Sequence, residues 1–149
     1  MLKVSRFGGS LAALATTLIV TFILIVPSIL VLAAFAREAL RPTLVRADTA
    51  RAAIAVQFPG IPGVVPGVGR FDPCDWGLGW ELHDGKSPHW MGADNSSATF
   101  GHFGGAGTFV WVDPVADVAC VGLTDRDFDD WAKDAWPPFA DEVLRTIRG

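Results

Sequence analysis

Apolar residues in this chain follow three regimes along its length. From Leu11 to Ala34 they run almost unbroken, interrupted only by Thr16, Thr17, Thr21, Pro27 and Ser28, and no charge falls between Phe7 and Ala36. Read as one helix rising about 1.5 Å per residue, the run is long enough to cross a bilayer core of about 30 Å. It is read as an N-terminal transmembrane anchor over residues 1–34. A cleaved secretory signal is the competing reading: Lys3 and Arg6 precede the run and Ala34-Phe35-Ala36 resembles a small-x-small cleavage site, but the run exceeds the roughly 7–15 apolar residues usual there. A third reading is that residues 1–34 are not an authentic start.

Helical spacing governs the next regime. Phe35, Ala39 and Leu40 recur at helical steps, Pro42 interrupts, and Asp48 starts a second helix through Ala50, Ala53, Ile54 and Val56. From Phe58 to Gly69 a proline or glycine recurs every second or third position, which predicts an ordered surface loop.

Strand periodicity then takes over. Trp76, Leu78, Trp80 and Leu82 alternate with Gly77, Gly79 and Glu81, predicting one strand with a heavily apolar face. Asp84-Gly85 suits a two-residue hairpin turn that brings Lys86 back toward His89 and Trp90. Three consecutive antiparallel strands are expected over Phe100 to Gly104, Thr108 to Val112 and Val118 to Thr124, with a turn from Pro114 to Asp117. Asp127, Asp129 and Asp130 suit a helix N-terminus. Beyond them Phe128, Trp131, Ala132, Ala135 and Trp136 form an apolar stripe, which Pro137-Pro138 should break or restart before Phe139, Val143, Leu144 and Ile147 continue it. The fold class is α+β: an antiparallel sheet with a C-terminal helix.

Composition narrows the functions available. Setting residues 1–34 aside leaves about 115 residues, one small domain, with 10 basic against 16 acidic side chains, so nucleic acid is not an expected partner. Cys74 and Cys120 are the only cysteines; they could pair if the fold brought them together, but Cys120 lies in an apolar strand pattern where a free thiol serves as a small buried hydrophobe. His83, His89 and His102 stand among many aspartates, but no pair has compact metal-ligand spacing, so neither a metal site nor a cofactor is expected.

His102 carries the candidate chemistry. It stands between Gly101 and Phe103-Gly104-Gly105, with Gly107 close behind, so the backbone beside it is bare where a ligand could approach. Its bland alternative is a strand-edge histidine capping a turn. The run His102-Phe103-Gly104 resembles the His-x-Gly form of the third active-site element of serine β-lactamases and penicillin-binding proteins, in the branch of class C β-lactamases, D-alanyl-D-alanine carboxypeptidases and esterases. Trp76-Gly77-Leu78-Gly79-Trp80 upstream, and Val112-Asp113-Pro114 and Val121-Gly122-Leu123-Thr124-Asp125-Arg126 downstream, stand in the order of the C-terminal part of such hydrolases. The resemblance spans roughly residues 35 to 149, read as a C-terminal hydrolase-like subdomain.

That resemblance implies roles residue by residue. His102 would present a polar side chain to substrate, Gly104 would make space, and the Gly105 N–H would be an oxyanion donor. The superfamily's other two elements are not found: no serine has a lysine three residues on, and there is no tyrosine for Tyr-x-Asn, so no nucleophile is assigned. The chain is therefore expected to be a partial β-lactamase/transpeptidase-like hydrolase, not catalytic by itself. It would take an acyl or β-lactam-like ligand, with a partner chain supplying the missing half. The alternative is a non-catalytic membrane-anchored binding module, or a degenerate gene product. Counting Arg37, Arg41 and Arg46 after the span favours a cytoplasmic C-terminal part, whereas the resemblance implies an extracytoplasmic one, which is the side expected.

Overall fold

A computed structural model describes residues 13–19 and 21–149. Residues 13–19 are helical; a π-helical turn, Thr21–Ile25, leads into α1, Val26–Leu40, and α2 is Ala47–Ala53. A two-stranded ribbon of β1, Gly63–Val65, and β2, Gly69–Phe71, follows. Then come β3, Glu81–Leu82, β4, Phe100–Gly104, β5, Thr108–Asp113, and β6, Val118–Gly122, in one antiparallel sheet of order β3-β4-β5-β6. The closing helix α3 is Asp130–Arg148.

Alternation along the strands sends side chains to two different cores. Phe109 and Trp111 join Trp90 and Met91 on one face, where α3 contributes Ala132, Trp136, Ala140 and Leu144. Phe100 and Val112 point to the other, with Leu82, and pack against Leu40 from the end of α1 and Ile54 just past α2. Both faces of the sheet are thus covered, one by an aromatic layer and one by Leu40, Ile54 and Trp80. Trp136 is the hub of the aromatic layer, with ring centroids 4.9 Å from Phe109 and 5.3 Å from Phe128.

Several expectations need correction. The single membrane-crossing helix over 11–34 is not what the structure shows: among the described residues no helix is long and apolar enough to cross a membrane. The helical stretch changes geometry at the π turn, and α1 runs on into Arg37 and Glu38, ending against the sheet. The rest of that expectation, residues 1–12 and 20, lies outside the described residues. Of the strand foreseen from Trp76 to Leu82 only Glu81–Leu82 forms, and the residues before it make a tight reversal. Trp76 bridges to Glu81, Gly77 N–H donates to the Trp80 carbonyl at 2.8 Å, and Gly79 takes a φ of +82°. Glycines at 77 and 79 let the backbone fold over, and the Leu78 N–H reaches the Ala53 carbonyl at 2.9 Å.

The Pro137-Pro138 break does not occur, because α3 runs through both prolines. The carbonyls deprived of donors belong to Lys133 and Asp134 on the helix's outer side, where water can solvate them, while the buried stripe of four residues holds the helix to the sheet. Asp84 and Gly85 both take positive φ, as the expected turn requires, and Lys86 N–H closes it on the His83 carbonyl at 2.8 Å. No strand returns from it. His83 and Asp84 instead bond across to Thr99 and Ser97, the approach to β4. The proline- and glycine-rich stretch is no plain loop either, since it holds the β1-β2 ribbon.

Candidate functional site

The β4-β5 hairpin places the His-x-Gly run. Its strands pair from Phe100 opposite Val112 to Gly104 opposite Thr108, leaving a three-residue turn in which Gly107 takes a φ of +72°. A side chain at Gly107 would meet the Arg126 carbonyl at 1.8 Å, so glycine is required there by both conformation and space. On the other side of β4, β3 pairs only with Phe100 and Gly101. Beyond Gly101 that edge has no strand beside it among the described residues.

A cavity of about 480 Å³ opens at this unpaired edge. Its walls are Val65 and Pro66 from the ribbon, Trp76, Phe103 and Phe128, with Glu81, His102, Gly105, Asp129 and Lys133 adding polar groups. His102 is exposed, and its ring stands edge-on to Trp76 at 5.9 Å. The His102 Nδ1 lies 2.7 Å from the Phe103 carbonyl oxygen, which can only accept, so Nδ1 carries a proton, and in the neutral ring Nε2 offers the lone pair. Gly105 opens the turn, and its carbonyl accepts from the Phe128 N–H at 2.8 Å. A side chain at Gly104 would crowd Thr108 Oγ1 at 3.2 Å, whereas one at Gly105 would stand in open space. The structure brings His102 and Gly105 to one cavity; Gly104 ends the strand between them.

Beneath the cavity lies a carboxylate that the sequence reading passed over. Glu81 is 1% exposed. Its Oε1 accepts from His89 Nε2 at 2.8 Å and its Oε2 from Trp90 Nε1 at 2.8 Å. His89 Nδ1 accepts in turn from the Met91 N–H at 3.2 Å, which fixes the ring proton on Nε2. The signal available was a glutamate facing a histidine and a tryptophan across a glycine turn; in a strand pattern it read as the polar side of an alternation. At the cavity rim Lys133 pairs with Asp130, which holds its ammonium above the ordinary lysine value. Both cysteines are free thiols, Cys74 buried and Cys120 half-buried, and burial pushes the Cys120 thiol up to about 11. Among the described residues no group of three or more histidine, cysteine or acidic side chains could hold a metal ion.

The family model described as Beta-lactamase matches residues 8–145. The fold is similar to the crystal structure of a beta-lactamase from Mycobacterium bovis, with a TM-score of 0.74 and 56% identity over 78% of this chain and 43% of that one. No curated protein matches. The chain belongs to the beta-lactamase family, and it spans less than half the length of the mycobacterial protein.

Proposed function

We propose that this chain forms the His-x-Gly wall of a serine-hydrolase site that takes acyl compounds of the β-lactam, peptide or ester kind. The observation carrying this reading is the cavity at the unpaired edge of β4, where His102 and Gly105 stand beside the apolar walls of Trp76, Phe103 and Phe128. An extended acyl-amide ligand can lie along such an edge, its apolar part against the aromatic rings and its carbonyl toward the turn. His102 would accept a hydrogen bond at Nε2, Gly104 would leave room, and the Gly105 N–H would meet the carbonyl oxygen. The sequence offers neither Ser-x-x-Lys nor Tyr-x-Asn, so the chain by itself binds and does not turn over, and a partner chain would bring the nucleophile.

The same proposal includes attachment to a membrane through the apolar N-terminal region, with the C-terminal part extracytoplasmic. Phe22, Ile23 and Leu30, each more than 60% exposed, support an apolar surface covered by lipid or protein. The alternative, a membrane-anchored interaction module without an acyl site, draws on those same residues.

Two measurements on the whole chain test the reading. Fluorescent penicillin and a fluorophosphonate should leave it unlabelled, and labelling of any of its serines would overturn the non-catalytic part. Titration with N-phenylacetylglycine, an acyl amide with a free carboxylate, should shift the His102 ring and Gly105 amide resonances saturably; no shift at either would overturn the acyl site.

A further inference from the structure

We infer that Glu81 is the positioning residue of the His102 edge. Its backbone reaches that edge from two sides, opposite Gly101 in the β3-β4 register and bridged to Trp76, whose ring backs His102. Its carboxylate reaches it by a third route: Oε2 holds Trp90, whose ring lies 5.4 Å from Phe103, and the Phe103 carbonyl is the acceptor that fixes the proton of His102 on Nδ1.

A fully buried carboxylate is costly unless its oxygens are satisfied, and a hydrophobic residue would fill a core position at less expense. Both oxygens of Glu81 accept from ring N–H donors, so its carboxyl group is held under the cavity at one defined place. A hydrophobic residue of similar volume would fill the core but could not orient both rings. Glutamine could not either: its amide has one acceptor oxygen for two donors, and its NH2 would face an N–H of His89 or Trp90. One of the two rings would lose its anchor.

The inference takes from the acyl-site reading only that His102 is the working group, and it is tested without any acyl ligand. Two-bond 1H–15N correlations of the histidine rings, recorded on the whole chain, report the tautomer of each ring. His102 in the native chain should show the single pattern of Nδ1–H with a bare Nε2. In Glu81→Gln that pattern should shift toward the average of the two tautomers while the far-ultraviolet spectrum stays native. A folded Glu81→Gln chain with an unchanged His102 pattern would overturn the inference, since a merely structural glutamate would lower the melting temperature and leave that ring alone. If Glu81→Gln does not fold, Trp90→Phe decides instead. It keeps an aromatic ring in the core, though a smaller one, and removes the donor to Oε2, and an unaltered His102 pattern there overturns the inference equally. A failed acyl titration leaves either outcome standing.

Discussion

The ring of Phe128 occupies the space where a side chain on Gly67 would begin: a Cβ there would lie 2.6 Å from Phe128 Cε1. Gly67 turns the β1-β2 ribbon with a φ of +74°, and the ring it admits forms one wall of the cavity while stacking 4.6 Å from Phe103. Gly67→Ala adds both left-handed strain and a clash. The expected loss is about 2 kcal/mol, read as a lower urea midpoint with an unchanged slope. It should also weaken N-phenylacetylglycine binding, because Phe128 must move.

Asp113 makes the pH dependence of folding testable at one buried carboxylate. It is 0% exposed, and it accepts from the Ser96 N–H and hydroxyl and from the N–H groups of Val115 and Ala116. Burial works against its ionisation, but these four bonds together outweigh it and hold the carboxyl below its ordinary value of 3.8. A group depressed in the folded state contributes stability that is fully present above its unfolded value and lost as pH falls through the folded one. Asp113→Asn should therefore cost roughly 2 kcal/mol at neutral pH. The gap between the two chains should narrow below about pH 4 in urea titrations.

His83 should dominate a higher window. It is 6% exposed with Nδ1 unpaired, and burial pulls its value down from 6.5 to about 4. The unfolded chain takes up this proton near pH 6.5 and the folded chain only near pH 4, so stability should fall as pH drops across that interval, and the contribution of His83 should change no further below it. The fall should approach about 3 kcal/mol. In His83→Gln most of this slope should vanish, which denaturation at closely spaced pH values would reveal.

The chain's sequence by itself determined what depends on local pattern. Period-2 alternation and the Pro114 turn marked β4, β5 and β6 to within two residues at their ends, and Pro42 marked the gap between α1 and α2. Asp129 caps α3 as the acidic run implied, its carboxylate accepting from the Asp130 N–H. Tertiary structure decided the rest, because in each case a distant contact outweighed a local preference. The stripe of Ala132, Trp136, Ala140 and Leu144 carries α3 through two prolines that should end a helix. The Ala53 carbonyl draws the Gly77-to-Gly79 segment out of a strand that its alternation favoured. Glu81 became a buried anchor only because the turn at Asp84-Gly85 lets His89 and Trp90 reach its two oxygens, a meeting that no spacing along the chain specifies.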